Sequence, residues 1–279
     1  MRQAKPKHLK PSNTERVSQH RAVHQPGAAG AMPSLSRRTE EEFYVRTDYK
    51  IIYEDDWLLV IDKPSPLPVH PGGRFFTKNL VSFLREDFKY PIHIVNRLDS
   101  ETSGIVLVAK SGVMAGLLGR EFEFRRVEKH YAALVIGRRP ERSGCVELPL
   151  GQQQEGRFRM RCHDPLGETA QTDYEVVHES EQNGEFFTLM KIYPRTGRMH
   201  QIRAHLALTG TPIAGDKIYI QPKIYECYIE AGWHEDMLAV VKARRLMLHA
   251  ERLIFKHPVT DRIMNIACEM PGEFQFAGT

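Results

Sequence analysis

Three short segments hold residue types that could do covalent chemistry. In the first, Asp99 sits in the polar run Asn96-Arg97-Leu98-Asp99-Ser100-Glu101-Thr102-Ser103-Gly104, directly before the apolar run Gly104–Ala109. A carboxylate on a tight loop braced by a buried strand is a common way to present a nucleophile. The same spacing also suits an Asx-turn, or a simple ion pair with Arg97. In the second, Thr196–Leu206, a helix places Met199, Ile202 and Leu206 on one apolar stripe with Arg203 lying on it. A guanidinium cannot easily give up its proton. Arg203 therefore either meets an anion, for which Asp99 is a candidate, or snorkels to solvent. In the third, Glu128–Val135, strand alternation puts Lys129, Tyr131 and Ala133 on one face. Tyr131 is then either a half-buried core residue or a platform that stacks on a base and offers its hydroxyl.

Four basic clusters accompany these segments: Arg125-Arg126-Lys129, Arg138-Arg139-Arg142, Arg157-Arg159-Arg161 and Lys242-Arg244-Arg245. The third alternates with Phe158 and Met160, as in a hairpin arm with one basic face. Each cluster is either a solvated face or a phosphate contact. There is no phosphate loop ending in GK[ST], no dinucleotide fingerprint, no G-x-S-x-G elbow and no H-E-x-x-H among the 13 histidines. The pattern therefore suggests neither a metal nor a nucleotide cofactor.

The elements that must position these groups are short. Ile51–Tyr53 and Trp57–Ile61 read as strands. A helix capped by Thr77 runs through Leu80, Phe83, Leu84 and Phe88. Gly104–Ala109 is a buried strand. Ser111 caps a helix with Leu117, Leu118 and Phe122 inward. Strands follow at Tyr131–Ile136, Gly144–Leu148, Thr172–His178 and Phe186–Tyr193. Next come a helix over Arg198–Leu208 stopped by Gly210, a helix near Glu235–Ala243, and strands at Leu246–Phe255 and Arg262–Cys268. Strands outnumber helices and neighbours suit antiparallel pairing. The expected class is α+β, with a mixed, largely antiparallel sheet.

The 279 residues are 41% hydrophobic and 27% charged, ordinary for a globular protein, and no run of 18 apolar residues suggests a membrane span. The four cysteines are scattered without a C-x-x-C pair, which fits a reducing, cytosol-like compartment. Net charge is +4; residues 1–40 hold eight Lys or Arg against two Glu, so the rest of the chain is near −2. Residues 1–44 read as a basic, unstructured tail that either touches phosphates or is dispensable, and 45–279 as the catalytic body.

In order from about Tyr53 to Phe274, the chain resembles the RluA-type family of RNA pseudouridine synthases. The segments are Val60-Ile61-Asp62-Lys63-Pro64 with Val69-His70-Pro71; Arg97-Leu98-Asp99 with Thr102-Ser103-Gly104; Lys129-His130-Tyr131-Ala132; Thr196 to His205; Gly215-Asp216; Leu248-His249-Ala250; and Phe255-Lys256-His257-Pro258. The resemblance implies a central cleft, no cofactor, and ribosomal or transfer RNA as substrate. It makes Asp99 the nucleophile, sets Tyr131 against the target base and Arg203 beside Asp99, and places Arg97, Thr102, Arg198, His200 and Gln201 at the substrate. A soluble monomer acting in the cytoplasm is expected. Two positions depart from the family pattern: Asn96 stands where His is usual before R-L-D, and Pro66 replaces the usual Gly. An S4-type RNA-binding domain, carried by many such proteins, is not seen. Two readings compete: a non-catalytic RNA-binding or chaperone protein on the same scaffold, and a nucleoside or glycoside hydrolase using Asp99. The hydrolase wants a second paired carboxylate, and the sequence shows none.

Overall fold

The computed structural model describes residues 44–274 other than Arg157, so the basic tail expected over 1–44 lies outside the described residues but for Tyr44. Twelve strands are described: β1 (Lys50–Glu54), β2 (Leu58–Lys63), β3 (His93–Ile94), β4 (Ser103–Ala109), β5 (Glu128–Ile136), β6 (Ser143–Glu147), β7 (Leu150–Glu155), β8 (Phe158–His163), β9 (Gln171–Gln182), β10 (Glu185–Pro194), β11 (Leu248–Lys256) and β12 (Ile263–Ala267). Five α-helices join them: α1 (Leu80–Asp87), α2 (Gly112–Glu123), α3 (Gln201–Leu208), α4 (Pro222–Ala231) and α5 (Leu238–Val241). The main sheet runs β1-β2-β4-β11-β5-β10-β9-β6, with β12 on β11 and β3 on β4; β7 and β8 form a separate hairpin. Only β4 and β11 pair in parallel, so the fold is α+β with a mixed, largely antiparallel sheet.

The near-continuous apolar runs of β2 and β4 follow from burial on both faces. Leu58, Val60, Ile105 and Leu107 enter a core under α2, while Leu59, Ile61, Val106 and Val108 face one under α1. A third core joins β5, β9 and β10 to Ile202 and Leu206 of α3. Tyr131 packs partly against two of these cores, at their junction.

Several boundaries differ from expectation. Asn79, not Thr77, caps α1: its Oδ1 accepts from the Ser82 amide while its Nδ2 donates to both the Phe75 and Phe76 carbonyls, and a hydroxyl has only one proton to donate. Ser111 caps α2, accepting from the Met114 amide; Leu118 is buried and Phe122 packs against the same core as expected, but Met114 takes the inward place of Leu117, which is exposed. The helix expected over 235–243 is a short 3-10 turn plus α5, ended by Lys242 in the left-handed region (φ 66°). Helix α4, opened by Pro222, is an element the apolar pattern did not suggest; Ile224 packs there in a small core with Met237 and Val241.

Candidate active site

Asp99 lies in the turn between β3 and β4. Its carbonyl accepts from the Thr102 amide (3.1 Å), and the next carbonyl, of Ser100, accepts from the Leu67 amide and from Lys63 Nζ (3.1 Å). The fully buried Lys63 ammonium also donates to the Pro64 and Leu67 carbonyls, so it staples the end of β2 to the turn that carries Asp99. Burial pushes the Lys63 pKa down to about 7, against the pull of the Asp99 carboxylate. Gly104 closes the turn at φ 110°, where a Cβ would stand 2.3 Å from the Ala250 carbonyl oxygen. Only glycine lets β4 approach β11 this closely.

Helix α3 begins at Gln201 rather than Arg198. His200 adopts the left-handed region (φ 52°), which no regular helix turn tolerates, so Arg198–His200 form a tight turn before it. Gln201 organises that turn: its Oε1 accepts from Thr196 Oγ1 and the Arg198 amide, and its Nε2 donates to the Gln171 carbonyl and Thr172 Oγ1. Met199 therefore lies off the helix and is 42% exposed; the buried stripe keeps Ile202 and Leu206.

Arg203 projects from this helix into a set of anions. Its Nε and Nη2 donate to Asp216 Oδ2 and Oδ1, both at 2.8 Å, and its Nη1 donates to Asp99 Oδ2 at 2.8 Å. Asp216, which the sequence shows only as part of a Gly-Asp pair, is the bidentate anchor. Its Oδ1 also accepts from the Ile218 and Tyr219 amides. Gly215 before it (φ 80°) fits where a Cβ would collide with the Arg245 carbonyl. Side-chain exposure separates the roles: Asp216 is 0%, Arg203 8% and Asp99 29% exposed. Arg203 is thus held from below by one carboxylate and offers its remaining edge to the one that reaches the surface.

Burial alone would raise the Asp99 pKa. His200 when protonated, Arg203 by charge and hydrogen bond, and Lys63 together outweigh it, so the carboxyl titrates below its ordinary value. Burial and Arg203 lower the His200 pKa, which leaves this imidazole neutral near pH 7 and Arg203 as the permanent counter-charge. His200 Nε2 stands 3.7 Å from Asp99 Oδ2. Tyr131 is near enough to Asp99 for that charge, added to burial, to push its phenol well above 10, so it stays protonated.

The other expected substrate residues are distributed unevenly. Arg97 is exposed. Arg198 is partly exposed and pairs with Glu168 (3.0 Å). Thr102 and Gln201 are 2% and 3% exposed, so they lie beneath the surface as supports for the turns that carry Asp99 and His200. Asn96, in the place of the usual His, braces β4: its Nδ2 donates to the Ile105 carbonyl and its Oδ1 accepts from the Leu107 amide. Much of the basic surface is tied up in the protein. Arg138 and Arg139 lie over the Phe186 and Tyr174 rings, and Arg126, Arg142, Lys242, Arg244 and Arg245 pair with Glu121, Glu179, Glu185, Glu235 and Glu273. Two surface hollows, one along β6 and β9 and one beside the start of β1, do not include Asp99. Among the described residues, no group of three His, Cys, Asp or Glu is disposed to hold a metal, and no helix is long and apolar enough to cross a membrane.

The site thus brings together an ionised carboxylate on a pinned loop, a buried arginine that clamps it and a tyrosine close enough to feel its charge. The RNA pseudouridylate synthase family model matches residues 57–208, more than half of the chain, and the chain belongs to that family. It is 38% identical over 217 residues to the dual-specificity RNA pseudouridine synthase RluA of Haemophilus influenzae, covering 77% of this chain and 90% of that one. It is 35% identical over 192 residues to the mitochondrial tRNA pseudouridine(32) synthase of Saccharomyces cerevisiae, covering 69% of this chain and 41% of that one. Human RNA pseudouridylate synthase domain containing 1 superposes with a TM-score of 0.64 at 26% identity, covering 84% of this chain and 86% of that structure.

Proposed function

We propose that this protein isomerises specific uridines of ribosomal or transfer RNA to pseudouridine, working as a single chain in a reducing, cytosol-like compartment. Family membership and the names of the relatives support the RNA substrate class. The observation that carries the assignment of roles is the Asp216–Arg203–Asp99 chain, in which only Asp99 reaches the surface. A uridine flips out of its stack beside Asp99. The carboxylate attacks the anomeric carbon or the base. The C1′–N1 bond breaks, the detached uracil turns, C5 bonds to C1′, and Asp99 is released. The proton on C5 leaves and N1 gains one, so the product is an isomer and no co-reactant is consumed. Arg203 holds Asp99 ionised and oriented. Tyr131 supports the ring by stacking, and its hydroxyl assists removal of the C5 proton. Arg97, Arg198 and His200 line the substrate side.

The test uses total RNA from a deletion strain complemented with wild type or Asp99→Asn, mapped for carbodiimide-reactive pseudouridine. Wild type restores specific sites and Asp99→Asn restores none. Restoration by Asp99→Asn would remove Asp99 as nucleophile and favour a non-catalytic RNA-binding role. Release of free uracil would point to a hydrolase.

A further inference from the structure

Glu168 and the two arginines it holds stand beside the catalytic centre, yet nothing in the reaction above uses them together. Arg161 Nη1 lies 2.9 Å from Glu168 Oε2, and Arg198 Nη1 lies 3.0 Å from Glu168 Oε1. Two guanidiniums share one carboxylate, so the cluster keeps one positive charge in excess. It is built on fixed backbone. Glu168 exchanges two hydrogen bonds with Leu150, its carbonyl accepting at 2.9 Å and its amide donating at 3.0 Å. The Arg161 amide donates to the Tyr219 hydroxyl at 2.8 Å, and Arg198 Nε donates to the Thr169 carbonyl at 3.3 Å.

The cluster is adjacent to the nucleophile. The same Tyr219 hydroxyl lies 3.4 Å from His200 Nδ1, and the opposite nitrogen of that ring faces Asp99. The charge of Arg161 is felt at His200. The cluster is also accessible, with Glu168 45% and Arg198 34% exposed. Finally, the protein does not saturate it: Arg161 Nε is buried without a hydrogen-bond partner among the described residues. A carboxylate bridging two forked donors occupies the place that a dianionic or monoanionic oxygen group of the same geometry takes.

We propose that Arg161 and Arg198 form a site for one backbone phosphate of the RNA next to the flipped uridine, with Glu168 as a built-in competitor that holds both guanidiniums in place until RNA arrives. The inference rests on the RNA-isomerase reading and makes Arg161 a substrate-positioning residue on β8, outside the segments that carry the family resemblance. Arg161 and Arg198 bind the phosphate; Glu168 is partly displaced by it.

The sign of the Glu168 effect separates this from a purely structural ion pair. Pseudouridine formation on total RNA from the deletion strain is followed at several salt concentrations for wild type, Arg161→Gln, Arg161→Lys, Arg198→Gln and Glu168→Gln. Arg161→Gln and Arg198→Gln are expected to raise KM about tenfold or more, with a log–log salt slope shallower by about 0.7–0.9 for one lost phosphate contact. Arg161→Lys keeps the slope. Glu168→Gln lowers KM severalfold, whereas loss of a structural ion pair would raise it or leave it unchanged. Filter binding of the same RNA by each variant in the Asp99→Asn background reads the contact without isomerisation, so it still reports if the wild type proves not to form pseudouridine. Unchanged salt slopes for both arginine variants, or weaker binding by Glu168→Gln in folded protein, would overturn the proposal.

Discussion

Removing the charge of Asp216 should unfold this protein more readily than removing the charge of Asp99, although both carboxylates touch the same arginine. Asp216 is fully buried, makes both of the 2.8 Å bonds to Nε and Nη2 of Arg203, and accepts two backbone amides. Asp216→Asn is nearly isosteric, but its amide nitrogen would face guanidinium donors and leave half of a buried pair uncompensated. Breaking such a pair from one side costs about 3–5 kcal/mol. For a domain of this size that corresponds to a drop in Tm of roughly 6–20 °C. Asp99 makes one bond to Arg203, its side chain is 29% exposed, and Arg203 keeps its bidentate partner when Asp99 is neutralised. Asp99→Asn should therefore cost only ~1 kcal/mol after allowance for solvent screening, while abolishing pseudouridine formation. Denaturant unfolding with a shared m-value measures both. The ordering is the prediction. If Asp99→Asn lowers the unfolding midpoint as far as Asp216→Asn does, Asp216 is not the anchor of Arg203 and the division between anchor and nucleophile is wrong.

Tyr131→Phe should leave Tm nearly unchanged and lower kcat by about a hundredfold, the size of a lost proton-transfer group; a change confined to KM would limit Tyr131 to stacking. Gly104→Ala drives a Cβ into the Ala250 carbonyl at a positive φ, so soluble yield or stability should fall by at least ~3 kcal/mol, read by thermal unfolding. His249 is fully buried and hydrogen-bonded to Ser103 and Cys268, and burial drops its pKa from 6.5 to about 4. Below pH 6.5 the unfolded chain takes the proton first, so this site withdraws stability between pH 6.5 and 4, by about 3 kcal/mol in all. His249→Gln should flatten the pH dependence of unfolding in that window, and an unchanged slope would show that other groups control it.

The chain by itself determined the local grammar. The doubly apolar runs at 58–61 and 104–109 and the alternation at 131–136 specify a two-face-buried sheet, because periodicity reports burial directly, whereas the role of Asp99 is implied only by the family resemblance of the ordered motifs around Asp99, Tyr131 and Arg203. Arg203 on an apolar stripe left two readings, an anionic partner or a snorkel to solvent, and the structure shows the first. What the sequence left open was which anion and how many, since Asp99 lies 104 residues from Arg203 in the chain, while Asp216 lies 13 residues beyond it and outside the helix, and the three meet only in the folded structure. The start of α3 was misread for the same kind of reason: an apolar stripe can extend back to Met199, but the left-handed His200 and the hydrogen bonds of Gln201 stop the helix. Lys63, which the sequence shows only within the Val60–Pro64 segment, is a buried staple because the Ser100 carbonyl of the distant Asp99 turn converges on it together with those of Pro64 and Leu67. Arg161 stood out in the sequence only as one of three alternating arginines and Glu168 not at all, because only the folded structure brings them beside Arg198. Local pattern chose the groups able to do chemistry; tertiary packing decided which charges are buried together, and so which of the two ionised carboxylates faces the solvent.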